Sequence, residues 1–293
     1  MKKRVIIILI SILSTILLIG IIFGIIILVN INKPVANIEL DGTIYETDKK
    51  EITSETKTPN NYDAKTVVAY TMWRMENINF ECTTKGSSNA LGITQNINNH
   101  RVVINNEAII STVSTSSFVK VAKERFFFSD KKVLLSDASS IDSSNTTAIF
   151  STEDPKIATK EEYIKMYGWM PYQLTGYIIA EETYLEEPTM TINNDNTYTI
   201  KMKLNPEDKK APYWYRQEIL QNSKSTIVPE FSKINIEMTI DSNYRALNVK
   251  YQESYKVEVM FKVSTTTECV DIFNYDNLSF DQDRYNFYKQ YEF

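Results

Sequence analysis

From Val5 to Val29 the chain runs 25 residues without a charge, directly after Met1-Lys2-Lys3-Arg4; twelve of the 25 are Ile and five are Leu. At about 1.5 Å of helical rise per residue, such a run crosses a hydrocarbon core of roughly 30 Å. Ser11, Ser14, Thr15, Gly20 and Gly24 interrupt it, and a lipid-embedded helix tolerates them because small hydroxyls bond back to the backbone. Three basic residues precede the run and only Lys33 follows closely. That asymmetry places the N-terminus in the cytoplasm and exports the rest. A cleaved signal peptide is the alternative, but its apolar core is usually about 7–15 residues and ends in small residues. Pro34-Val35-Ala36 is a poor cleavage site, and no cysteine nearby offers lipidation. The reading is a retained single-pass anchor in the cell membrane, its partner there being the bilayer. Gly20 and Gly24 also have the spacing of a helix-dimer motif, although glycine is common in such helices.

The chain then divides into a cytoplasmic stub (1–4), a transmembrane helix (5–29), a flexible stalk (30–62) and an extracytoplasmic domain (63–293). Removing the three stub charges from the whole-chain balance of -5 leaves -8 outside. With no basic block, this argues against nucleic acid as a partner. Cys82 and Cys269 both fall on the exported side, where a disulfide persists. Bridging them would tie the first strand of the domain to the last; two buried free thiols are the alternative. The stalk is assigned from Lys49 to Asn61, where charged residues, Ser, Thr and Asn leave little apolar surface to offset chain ordering.

Beyond the stalk, Ala64, Val68, Met72 and Met75 repeat at helical spacing after Asp63, an N-cap residue, so a helix is expected to about Glu76. Period two follows in Ile78, Phe80 and Cys82, and strands are expected at 92–98, 101–105, 107–114, 123–128 and 132–135. Thr159 with Glu162 forms a capping box for a helix ending at Gly168. A short strand is expected from Tyr177 to Ala180. Met190 to Ile192 and Tyr198 to Leu204 alternate as a hairpin, and Asn205-Pro206-Glu207-Asp208 reads as the start of a helix reaching Asn222, unless Pro212 delays or kinks that start. Strands at 234–240, 247–251, 255–263 and 269–275 complete a meander, and the tail from Asp281 is either a docked helix or a frayed end. The fold class is α+β: a mainly antiparallel, curved sheet of eight to eleven strands with about three helices.

Chemistry is sparse. One histidine, His100, offers no metal cluster; seven glycines build no phosphate loop; no nucleophile stands beside a credible base. The acid pairs Glu161-Glu162, Glu181-Glu182 and Glu186-Glu187 are adjacent in sequence, whereas a two-carboxylate site needs convergent groups. A non-catalytic protein without a cofactor is expected. The large aromatics Trp73, Trp169, Tyr172, Trp214 and Tyr215 are read either as core or as the rim of an apolar groove.

The helix at 64–76, the long hairpins, the helix at 205–222 and the closing meander resemble the half-barrel of lipoprotein carriers and mycobacterial lipid-binding lipoproteins. Pro229-Glu230-Phe231 leading into the Ile234-x-Ile236-x-Met238-x-Ile240-Asp241-Ser242 strand resembles uncharacterised membrane-anchored proteins of low-GC Gram-positive bacteria. The likeness spans about 63–275 and rests on layout. It implies an acyl-binding space between sheet and helices, whereas the missing lipidation cysteine departs from the carrier pattern. Two roles follow: a structural or protein-interaction module of the cell envelope, or a binding domain for a lipid or other apolar ligand.

Overall fold

The structure is a computed structural model that describes residues 36, 38, 46–116, 120–128, 132–141, 148–223, 225–258 and 262–292. The expected anchor at 5–29 lies outside these residues. Among the described residues, no helix is long and apolar enough to cross a membrane.

Among the described residues, four α-helices accompany twelve strands. The helices are α1 (Ala64–Glu76), α2 (Lys160–Tyr167), α3 (Tyr213–Ser223) and α4 (Gln282–Lys289). The strands are β1 (Phe80–Ala90), β2 (Ile93–Ile104), β3 (Glu107–Thr115), β4 (Lys120–Phe128), β5 (Lys132–Ile141), β6 (Ala148–Phe150), β7 (Lys156–Thr159), β8 (Thr189–Ile192), β9 (Tyr198–Lys203), β10 (Glu230–Ile240), β11 (Ala246–Glu258) and β12 (Lys262–Asn274). All join one open antiparallel sheet in the order β6-β5-β4-β3-β2-β1-β12-β11-β10-β9-β8, with β7 also on β5. Two meanders therefore meet at a seam, β1 against β12, running from Glu81 opposite Asn274 to Ala90 opposite Thr265.

One face of this sheet, here the core face, carries the main apolar cluster. Val67 and Met75 of α1, Tyr163 of α2, Leu174 and Ile179 of the 169–180 segment and Ile219 of α3 pack there onto Phe80, Phe127, Ile200 and Met238. The far face carries a second apolar cluster over β3–β5, where Ile109, Phe126, Phe128 and Leu134 receive Tyr288 of α4. Asp63 caps α1 by accepting from the Thr66 amide at 2.8 Å, and Thr159 and Glu162 close the capping box of α2. Gly168 ends α2 at φ 86°, against the backbone of Trp214, where a Cβ would collide. A side chain there would push α2 off α3.

Several expectations are corrected. The segments 92–98 and 101–105 form one strand: Asn98, Asn99 and His100 keep their place opposite β1 on one side and β3 on the other, so the ladder carries the polar run straight through. Tyr255 to Val263 is not a separate strand. Residues up to Glu258 continue β11 and those from Lys262 open β12, because both pair along their whole length. Tyr177 to Ala180 is buried but extended without a ladder. The helix expected from Pro206 begins at Tyr213, since a chain entering Pro212 avoids helical geometry. Residues 46–62 of the expected stalk make contacts with the domain: Asp48 N–H bonds Ile179 O at 2.8 Å, Lys50 N–H bonds Ala69 O at 3.1 Å, the Tyr244 hydroxyl donates to Lys57 O, and Pro59 is buried. Those backbone bonds order a segment that its composition alone would leave loose. The tail is a docked helix, α4, through its Asp281 cap.

The expected disulfide is also corrected. Both thiols are free. Cys82 stands opposite Phe273, and Cys269 stands opposite Gly86. Four residues of strand separate them, about 13 Å, whereas bridged Cα atoms lie within about 7 Å. The two meanders are joined by the β1–β12 ladder instead. Cys269 occupies the space left by the absent side chain of Gly86, where a Cβ would strike its Sγ and the Glu268 carbonyl.

Candidate functional site

Register turns the core face into a series of transverse rows. The row Phe80–Val103–Ala108–Phe127–Val133, read from β1 to β5, is wholly apolar. Four residues along the strands, the row Asp271–Thr84–Asn99–Thr112–Lys123–Asp137 crosses β12 to β5 with no hydrocarbon side chain in it. Between them lies a mixed row, Phe273–Cys82–Arg101–Ile110–Arg125–Leu135. A polar band therefore crosses a face that is otherwise core.

Arg101 is only 5% exposed, and its Nη1 donates to Pro171 O and Gln173 O, each at 3.0 Å. Its guanidinium lies 5.0 Å from the Phe80 ring centre and 5.3 Å from that of Trp169. The loop after α2 is thereby fixed over the sheet by a desolvated cation. Burial holds the Asp271 carboxyl above the usual range, while Arg101 and Thr84 draw it back. Arg125 donates to the Tyr163 hydroxyl at 2.8 Å and lies 4.0 Å from Glu218 Oε1, whose Oε2 accepts from Trp169 Nε1 at 2.8 Å. Strand, loop and α3 are cross-linked by these groups.

Further along β11, Glu253 is 6% exposed opposite Thr267. Burial pushes its carboxyl up to about 7; the Tyr177 and Tyr215 hydroxyls pull it down and Glu218 raises it further. The hydroxyls are near enough to act electrostatically, yet neither Glu253 Oε2 nor the Tyr177 hydroxyl makes a hydrogen bond of ordinary geometry. No cation appears among the groups that act on Glu253. Burial in such a setting favours the neutral acid over the carboxylate.

The two buried acids do not form a hydrolytic pair. Asp271 faces Val249 and Glu253 faces Thr267, about 13 Å apart along the strands, beyond the span of paired-carboxylate sites. Both thiols are pushed up to about 12 by burial, which makes them poor nucleophiles. Among the described residues, no three His, Cys, Asp or Glu side chains converge as metal ligands. A cleft of about 180 Å³ opens at the β5 end of the band, lined by Lys123–Arg125, Leu135–Asp137 and Lys156.

Of the aromatics singled out in the sequence, Trp169, Tyr172 and Tyr215 come together in the cover over the core face. Tyr215 stacks at an angle on Tyr177, 5.2 Å between centres. Trp214 instead faces away, with Tyr213, Ile178 and Ile38, and Trp73 is half-buried on α1. Sequence reasoning missed Glu253, Asp271, Arg101 and Arg125. A signal existed for Glu253: it shares the parity of Val249, Tyr251, Tyr255 and Val257, the buried face of β11. An acid in phase with a buried apolar set is the mark of a buried polar group. No protein-family model and no curated protein matches the chain.

Proposed function

We propose that this chain is a membrane-tethered, non-catalytic interaction module of the cell envelope, held at the outer membrane face by the apolar run at 5–29. The observation that carries the reading is that the space where a ligand would lie is filled. Tyr163, Met170, Leu174, Tyr177 and Ile179 occupy it from the helix side against Phe80, Ile200 and Met238 from the sheet. The cleft at the β5 end of the polar band, of about 180 Å³ and rimmed by charges, is below the usual size of small-molecule sites. Among the described residues, the far face of β9–β12 is mixed in charge and exposed, with the ion pairs Lys201–Glu237 and Lys262–Glu230 at its surface. A broad polar sheet beside the membrane suits recognition of another envelope protein.

The test is native mass spectrometry of the full chain extracted from its own membranes. A protein bound at fixed stoichiometry, lost when Lys85, Lys250 and Glu268 on the far face are replaced by Ala, is the expected result. Lipid retained at one molecule per chain, with no protein, would overturn the reading in favour of an apolar-ligand carrier.

A further inference from the structure

Between the sheet and its cover lies a carboxyl that the interaction reading does not use. Glu253 projects from the middle of β11 into a setting built by four elements. Tyr177 faces it from the 169–180 segment, Tyr215 and Glu218 from α3, and Thr267 and Cys269 from β12, with Tyr251 and Tyr255 flanking it on β11. The nearest cations are engaged elsewhere. Arg125 serves Tyr163 and Glu218; Arg101 serves two carbonyls and Asp271; and Arg216 donates to Pro229 O at 3.0 Å and Lys209 O at 2.9 Å. Glu253 Oε2 and the Tyr177 hydroxyl are both buried and close enough to act on each other, yet neither makes a hydrogen bond of ordinary geometry. Ionised, Glu253 would be a desolvated charge facing a second carboxylate, Glu218. Neutral, it can donate as well as accept, and it packs against aromatic rings without that penalty.

We infer that Glu253 is a proton-dependent clasp: protonated, it lets α3 and the 169–180 segment close onto the sheet, and ionised, it loosens them. This goes beyond the interaction reading and does not depend on it. The direction follows from linkage. The closed form holds its proton up to about pH 7, whereas an opened, hydrated Glu releases it near 4.3. Between those values the closed form binds more protons, so closure is strongest at the acidic end and weakens as pH rises. Opening should become more favourable by up to about tenfold per pH unit within that window and level off above it.

Hydrogen exchange of the full chain in detergent, corrected for intrinsic exchange and followed from pH 5 to 8, reads this directly. Tyr213 to Ser223 and the amides of 169–180 should lose protection at least about tenfold, with β3–β5 unchanged. Glu253→Gln should flatten that profile and hold the cover closed at pH 8, while Glu218→Gln, which removes the like charge that raises Glu253, should keep the profile and move its midpoint downward. A flat profile in the native protein, or an unaltered slope in Glu253→Gln, would overturn the clasp. Because the Gln variant can fail to fold, the Glu253 side-chain carboxyl is also titrated by carbon NMR in the native protein. A midpoint in the ordinary Glu range would by itself sink the inference.

Discussion

The two wings of the sheet solve burial differently. In β9–β11 every second residue is buried and its neighbours are half or fully exposed, since helices cover one face and water the other. In β3–β5 burial comes in runs, with Phe126, Phe127 and Phe128 all nearly inaccessible, because α2 lies on one face and α4 on the other. The ion pairs follow the same division. Lys201–Glu237 on the single-covered wing is exposed on both sides, with 66% and 45% of the side chains accessible, and such pairs contribute about 0–1 kcal/mol. Glu124–Arg284 on the double-covered wing is sealed, at 3% and 17%. One wing carries this ion pair at its surface, and the other depends on a buried charge being answered by a cation.

Arg284→Ala is the strongest way to break this contrast. Glu124 accepts from Arg284 Nε at 2.6 Å, from the Tyr288 hydroxyl at 2.8 Å and from Ser111 at 3.0 Å. Removing the cation leaves a buried charge with two neutral donors, a loss expected at about 3–5 kcal/mol. Urea unfolding should register that loss, and hydrogen exchange should localise it to β3–β5 while β9–β11 keep their protection. A loss spread evenly over both wings would mean that they fold as one unit and that the contrast is only one of appearance.

The seam between the wings gives a smaller effect. Gly86→Ala places a methyl against Cys269 Sγ and the Glu268 carbonyl, and overpacking of this kind costs about 1–3 kcal/mol. Cys269→Ala in the same chain should restore only part of it, because the carbonyl stays where it is. Full rescue in thermal melts would show that the thiol, not the backbone, sets the spacing of β1 and β12.

The wings also differ in how far the sequence reveals them. The alternation of Ile234, Ile236, Met238 and Ile240 reads directly as one buried face, and that strand is where it was expected. The Asp63 cap and the Thr159 box likewise bound their helices correctly, because their signals are local. Phe126 to Phe128 announces a strand without saying what covers it, since the cover comes from α4, some 160 residues later. Only parts of the long strands β2, β11 and β12 are legible in the sequence, for a related reason. Their polar stretches have no apolar phase, and only the ladders on both sides hold them extended. Arg101 and Asp271 were invisible because their partners lie on other elements, whereas Glu253 could have been found from its parity.

The smallest expected effect tests whether the single-covered wing depends on α1. α1 reaches β11 and the end of the meander: Met75 accepts from the Ala246 amide at 3.5 Å and from the Tyr275 hydroxyl at 3.3 Å, and Tyr70 packs on Tyr244 with 5.1 Å between centres. Its N-terminus is satisfied by Asp63, whose carboxyl is held below its usual value, first by the Thr66 amide. A lowered native pKa means that the cap stabilises above the ordinary Asp range, near 3.8, and that this contribution disappears as pH falls through the native value. Asp63→Ala should therefore cost about 1 kcal/mol at neutral pH, and its melting curve should converge with the native one in strong acid. Asp63→Asn, still able to accept from Thr66, should lose only a few tenths of a kcal/mol. Exchange should quicken in α1 and along β10–β12 and stay unaltered in β3–β5. Equal quickening in both wings would show that α1 braces the whole sheet, and that the wing with one covered face borrows its rigidity from the other.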